Sequence, residues 1–220
     1  MAKKITDEDG NKYVQKKPFY KRVWFWILVV IIVIGVGANM GSDGDKTSSS
    51  STNSSSSSTK STSNGITKAQ WDKIKLSETD GDTSDTVVKL IGKASSTSSS
   101  TISNIQVDVH TWNKVANATI GAVTVSFENG HAVSKGITGL NVNRSKKITL
   151  DNFNTIANGQ TTSQIEKEFG KPNGYTVTTI AGTNTETWLY TSGINGSTGA
   201  NFQVTFQNDS VASMSQANME

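Results

Sequence analysis

The chain of 220 residues contains no cysteine. That absence excludes a disulfide framework, a thiolate metal site, a cysteine nucleophile and a lipid-modified N-terminal cysteine. Histidine is almost as scarce, limited to His110 and His131. His131 lies in the turn Glu128-Asn129-Gly130-His131 and reads as a solvated turn residue. His110 sits in DVHTW, and the many serines of the chain are not set in a G-x-S-x-G elbow that would expose one as a nucleophile. No enzymatic activity is expected. The acidic run ETDGDTSD, Glu78 to Asp85, lacks the D-x-[DN]-x-[DN]-G-x5-E spacing that arranges oxygens around calcium, so it reads as helix capping. Neither a metal nor a cofactor is expected.

Positive charge is also lacking where a nucleic-acid binder would need it. The sequence has 21 Lys and Arg and 18 Asp and Glu, but residues 1–22 hold seven of the bases and only three of the acids. The rest of the chain is about neutral and has no electrostatic footprint for nucleic acid. Arg144, Lys146 and Lys147 in the stretch NVNRSKK read as a solvated charge run, with no second basic cluster to argue for phosphate contact.

What the chain does have, first, is one long apolar run. Val23 to Ala38 is uncharged and follows KKPFYKR. Its rise of about 24 Å, extended by Asn39 and Met40 and by snorkelling of Lys21 and Arg22, can cross a hydrocarbon core of roughly 30 Å. Trp24 and Trp26 suit the headgroup level, and the basic excess before the run places the N-terminus inside and the rest outside. The expectation is a single-pass anchor at residues 23–40 of a cell membrane, behind a basic cytoplasmic tail at 1–22. The alternative is secretion after cleavage near Ala38, where VGA offers small residues. Residues 41–65 are almost all Ser, Thr, Gly and a few charges, a composition that buries too little apolar surface to fold. They are expected to form a disordered tether spanning roughly 25 to 30 Å.

Second, the remaining sequence repeats itself. ITKAQWDKI at 66–74 matches ITLDNFNTI at 148–156, and GDTSDTVVKLIGK at 81–93 matches GQTTSQIEKEFGK at 159–171. Thr67 with Gln70, and Ser163 with Glu166, fit capping boxes. Val87 and Ile91, like Ile165 and Phe169, stand four apart on one helical face. Gly92 and Gly170 then supply the residue that ends a helix in a left-handed conformation, and Pro172 forbids continuation. After each stop come alternating segments: NIQVDVHTW, TIGAVTVSF and AVSKGI in the first copy, and YTVTTI, TETWLY, ANFQVTF and SVASMS in the second. TW at 111–112 matches TW at 187–188. The stretch ASSTSSSTIS at 94–103 leaves the first strand of copy one open.

The fold class expected is α+β: two tandem helix-loop-helix plus antiparallel-sheet repeats, at 66–140 and 148–220 with a linker at 141–147, preceded by one transmembrane helix and the disordered linker. The doubled unit, its Gly-Thr-Thr-like opening, the Phe-Gly-Lys-Pro helix end and the final VTFQNDSVASMSQ resemble the β-lactamase-inhibitor-like tandem-repeat proteins, in particular the uncharacterised membrane-anchored members of Gram-positive bacteria. The resemblance covers residues 66–216 and is better in the second copy. It implies two units side by side, forming one curved sheet with a concave face open to a partner. Half of the repeat also resembles small two-helix lipoproteins of outer-membrane assembly.

Strand alternation puts Asp108, His110 and Trp112 on one face of their strand, and Glu186, Trp188 and Tyr190 on one face of theirs. If that face is open, these six are the candidate partner-binding residues, with Trp and Tyr as anchors. If the helices cover it, the tryptophans are core. The functional expectation is a membrane-anchored extracellular module binding a protein or cell-wall component. The alternatives are an inhibitor of a secreted or penicillin-recognising enzyme and an envelope assembly factor.

Overall fold

The computed structural model describes residues 4–6, 12–14, 65–102 and 105–220. The chain divides into a unit at residues 1–53 and a unit at residues 54–220. In the first, β1 (Lys4–Thr6) pairs antiparallel with β2 (Lys12–Val14). The expected span at 23–40, and all of the expected tether except Gly65, lie outside the described residues. Among the described residues no helix is long and apolar enough to cross a membrane.

The second unit opens with α1 (Lys68–Asp72) and α2 (Ser84–Ile91), followed by β3 (Ser96–Ile102), β4 (Ile105–Trp112), β5 (Val123–Glu128) and β6 (His131–Ile137). Then come α3 (Leu150–Asn154), α4 (Thr162–Phe169), β7 (Gly174–Ile180), β8 (Thr183–Tyr190), β9 (Gly196–Gln207) and β10 (Ser210–Met219). The strands form a single antiparallel sheet in the order β10-β9-β8-β7-β6-β5-β4-β3, without a crossover.

This corrects the expected fold class. Among the described residues the fold is mainly an eight-stranded antiparallel sheet with four short helices and no long apolar helix, and not a pair of helix-loop-helix repeats. Two of the helices have five residues and two have eight, whereas β9 runs for twelve. Helices this short are marginal alone and form because their ends are capped and their apolar residues pack on the sheet. Thr67 with Gln70, Thr149 with Asn152 and Thr161 with Gln164 make reciprocal capping boxes. The last of these sits two residues before the expected Ser163 and Glu166. The stretch left open at 94–103 largely forms β3, the edge strand beside β4.

Repetition of the Gly-Lys phrase has a backbone cause. Gly92 has φ 90° and Gly170 has φ 72°, and a Cβ at either would meet nothing within 4 Å. The requirement is therefore a positive φ with ψ near 180°, which glycine alone adopts readily, and not space. Each glycine N–H donates to the carbonyl four residues back, Val88 and Glu166, at 2.8 Å. Each glycine carbonyl in turn accepts from a strand aromatic: Trp112 Nε1 donates to Gly92 at 2.8 Å, and Tyr190 Oη to Gly170 at 3.0 Å.

The hairpins turn on residues with positive φ. These are Asn129-Gly130 for β5 and β6, Ala181-Gly182 for β7 and β8, and Asn208-Asp209 for β9 and β10. Ala181 holds φ 50° without glycine's freedom, and its N–H donates to Glu78 Oε2 at 2.7 Å, tying the second copy's hairpin to the first copy's acidic loop. The rest of that loop caps and pairs locally. Thr83 caps α2, Asp82 accepts from the Lys75 N–H, and Asp80 pairs with Lys75. His131 is no solvated turn residue: it is half-buried, with Nδ1 3.0 Å from the Gly81 carbonyl oxygen.

One sheet face carries two apolar clusters. Trp71, Ile74, Val87 and Ile91 from the first helix pair pack on Trp112, Val123, Val125, Phe127 and Ile137. Ile165 and Phe169 pack on Trp188, Tyr190, Phe202, Val204 and Phe206. Between the clusters, β6 pairs with β7 over four positions, Ser134 to Ile137 against Thr178 to Tyr175. Tyr175 touches both clusters.

Lys135 points into this helix-covered face and is 8% exposed. Its Nζ donates to the carbonyls of Trp71, Asp72 and Ile74 at 3.1, 3.0 and 2.9 Å and lies 4.5 Å from the Trp71 ring centroid. An ammonium's three donors thus close the C-terminal end of α1. Burial pushes its pKa down from 10.5 to about 8. Between those two values the unfolded chain holds more protons than the folded one, so stability rises with pH across that window. Lys135→Met should lower unfolding free energy by about 1–3 kcal/mol at neutral pH, because the Asp72 and Ile74 carbonyls lose their donor. The deficit should grow as pH rises from about 8 towards 10.5, measured by urea unfolding at several pH values.

Candidate binding surfaces

The six residues singled out by alternation lie on one face of the sheet, but it is the helix-covered face. Trp112 is 3% exposed, Trp188 4% and Tyr190 0%. Three strands separate β4 from β8, so the two triads stand four strand spacings, roughly 19 Å, apart and belong to different clusters. The structure therefore brings Asp108, His110 and Trp112 together along one strand, and Glu186, Trp188 and Tyr190 along another, without joining the two sets.

Within each set the polar groups serve the rings. Trp188 Nε1 donates to Glu186 Oε1 at 2.7 Å, which explains a carboxylate beside a core tryptophan. His110 packs 4.9 Å from the Phe127 centroid, and its Nδ1 is 3.4 Å from Ser84 Oγ on α2. Asp108 accepts from Gln106 Nε2 at 3.2 Å. Burial pushes the Tyr190 hydroxyl pKa up. The apparent match of the two TW strings is also corrected, since Trp112 and Tyr190 make the same bond to equivalent helix-ending glycines. By that frame Tyr190, and not Trp188, is the counterpart of Trp112.

Among the described residues the opposite face of the sheet carries no helix and is mainly polar. Following the registers strand by strand, one row reads Ser98, Val109, Ser126, Ser134, Thr178, Thr185, Gln207 and Ser210. The next reads Ser96, Thr111, Thr124, Gly136, Thr176, Thr187, Thr205 and Ser213. Hydroxyls bond along these rows, Ser134 to Thr178 at 2.9 Å across the junction of the copies and Thr187 to Thr205 at 3.1 Å. Ser96, Ser98 and Ser213 near the sheet edges are exposed, the β7 and β8 threonines are half-buried, and Ser126 and Ser134 are buried. Exposure thus falls from edge to centre. Gly136 lies in the second row, where a Cβ would stand 2.8 Å from Thr124 Oγ1. Glu128 is the acid of this face. Its pKa is raised by burial and by the nearby Glu78 carboxylate.

A two-residue alternation was enough to sort residues into faces, but it could not say which face the helices would take. The hydroxyl rows were visible only as scattered threonines until register aligned them. A second polar centre corrects the reading of Arg144 as part of a solvated charge run, since Arg144 is half-buried and bonded beside Asn173. Asn173 Oδ1 accepts from the Thr191 and Ser192 N–H groups at 2.9 and 3.2 Å, while its Nδ2 donates to the Leu140 carbonyl at 3.0 Å. Arg144 donates from Nη1 to Ser192 Oγ at 2.7 Å and from Nη2 to the Lys171 carbonyl at 2.7 Å. Together these two side chains lock the connection between the copies against β7 and β8.

A family profile for a domain of unknown function with a solved structure, DUF3862, matches residues 47–219. The chain belongs to the DUF3862 family. No curated protein matches it. Among solved structures, the DUF3862 chain is similar to a Streptococcus mutans protein provisionally described as a β-lactamase inhibitor protein, at a TM-score of 0.55 and 18% identity. The match covers 69% of this chain and 95% of that one. At that identity the likeness concerns the fold, which is β-lactamase-inhibitor-like.

The burial of Trp188 fixes what its removal does. Trp188→Ala should lower unfolding free energy by about 3–5 kcal/mol, read from the denaturant midpoint of residues 65–220, as for any large aromatic emptied from a core. A variant as stable as the wild type would place Trp188 on a surface.

Proposed function

We propose that this DUF3862 chain is a binding module whose docking surface is the hydroxyl-lined sheet face, and that its partner is a protein. The observation that carries this reading is the asymmetry of the sheet. Helices close one face and consume its aromatics, while the hydroxyl rows of the other cross both copies, with Glu128 as its acid. Such a surface offers many hydrogen-bonding groups at low conformational cost, since Ser and Thr have few rotamers to lose. The inhibitor-like fold supports a protein partner.

The reading includes an N-terminal anchor at residues 23–40 with the module outside the membrane, as the uncharged run and its basic flank argue. Inhibition of an enzyme is the second reading, favoured by the same fold likeness. A loop that enters an active-site cleft is not part of it at Gly193 and Ile194. There the Ile148 N–H donates to the Gly193 carbonyl and the Asn195 N–H to the Ile148 carbonyl, both at 2.8 Å, so the loop is tied down.

The test is capture from a Gram-positive cell-envelope extract by residues 65–220, wild type against Thr176→Arg, followed by titration with the purified captured protein and, separately, with a β-lactamase. An arginine in the middle of the second hydroxyl row should weaken the specific complex at least about tenfold while leaving thermal unfolding unchanged. Equal binding by both forms would remove the hydroxyl-lined face as the docking surface. No specific binding by the wild type, with the enzyme uninhibited, would end both readings.

A further inference from the structure

The connection between β6 and α3 carries Arg144, Lys146 and Lys147 within four positions. Arg144 is spent on structure: its guanidinium holds Ser192, Asn173 and the Lys171 carbonyl and lies 5.2 Å from the Tyr190 ring centroid. That anchoring sets the next residues at the rim of a cavity of about 410 Å³ between α3 and the C-terminal end of α4, lined by Arg144, Ser145, Lys146, Lys147, Asn152 and Glu168 among others. Lys146 and Lys147 are exposed. Among the described residues the ion pairs are Lys68 with Asp72 and Lys75 with Asp80, so neither rim lysine has a carboxylate within 4.0 Å. Glu168, the acid of the lining, is engaged through Oε1 with Thr155 Oγ1 at 2.6 Å.

We propose that this cavity binds a phosphate ester carried on a small polyol or sugar. The phosphate sits between Lys146 and Lys147, and the hydroxyls of its carrier face Asn152 and Glu168. Two unpaired ammonium groups beside an arginine concentrate positive potential at one concave spot of an otherwise neutral module, which is the arrangement that attracts phosphate. The cavity is far larger than an inorganic anion needs. Its remaining groups suit hydroxyls: Asn152 uses Oδ1 in the Thr149 cap, which leaves its amide N–H groups as donors, and Glu168 keeps Oε2 as an acceptor. A carboxylate beside the lysines also selects against a bare dianion and for a monoester or diester whose carrier can donate to it.

The experiment is isothermal titration of the full chain in detergent with sn-glycerol 3-phosphate, with glycerol and inorganic sulfate as controls, and a separate binding assay with phosphatidylglycerol vesicles. The expected result is saturable one-site binding of the ester, no heat with glycerol, and weaker binding of sulfate. Affinity should fall at least about tenfold in Lys146→Ala/Lys147→Ala and stay within about threefold in Lys146→Arg/Lys147→Arg, which keeps both charges. Because both lysines are exposed, the alanine pair should melt as the wild type does. Absence of saturable binding, equal affinity in the alanine pair, or binding to vesicles but not to the soluble ester would each overturn the proposal.

Discussion

Pairing of β6 with β7 is the junction on which the two halves depend. It comprises four register positions. On the covered side it sets Ile137 opposite Tyr175, and Tyr175 reaches both apolar clusters, packing 6.0 Å from the Trp71 centroid and 5.7 Å from that of Trp188. On the open side it sets Ser134 opposite Thr178, hydroxyl to hydroxyl. Each half alone is a small domain without disulfides, and domains of that size bury too little surface to be comfortably stable. Joining them removes two sheet edges and lets one tyrosine serve two cores. The bond from Ala181 to Glu78 and the locks at Asn173 and Arg144 hold the same junction from its periphery.

A division of labour between the faces follows from that joint. The aromatics are drawn under the helices because each helix pair is short and must bury large side chains to stay folded. Lys135 is the exception that the geometry explains, since it meets the last carbonyls of α1 where an apolar residue would leave them without donors. Its counterpart by repeat position is Met214, 38% exposed, so the two copies solve the same end differently. What remains for the outer face is a continuous field of hydroxyls crossing the joint, and the basic cavity sits apart from it in the connection.

Much of this was legible in the sequence, and the failures have physical causes. Helix stops at Gly92 and Gly170 could be read because a positive φ demands glycine there. Strand positions from Val123 to Tyr190 could be read from their alternation. The fold class could not, because spacing of apolar residues reveals a helical face without showing that the helix lasts only five or eight residues, and a serine-rich edge strand has no apolar alternation to betray it. The candidate face was assigned to strands correctly sorted by periodicity, yet Trp112, Trp188 and Tyr190 went to the core because period two says nothing about which side a helix will cover. Asn173 left no pattern at all, and Arg144 showed only as one of a charge run, since their partners lie in segments distant in sequence.

The most direct test of the account is native-state hydrogen exchange on residues 65–220, wild type against Tyr175→Ala, followed at Val125 in β5 and Val204 in β9. If the two cores are one cooperative unit joined through Tyr175, protection at both amides should fall by the same factor, matching the loss of global stability. A fall at Val204 with Val125 unchanged would contradict it, and would mean that the halves open independently and share a sheet without sharing a core.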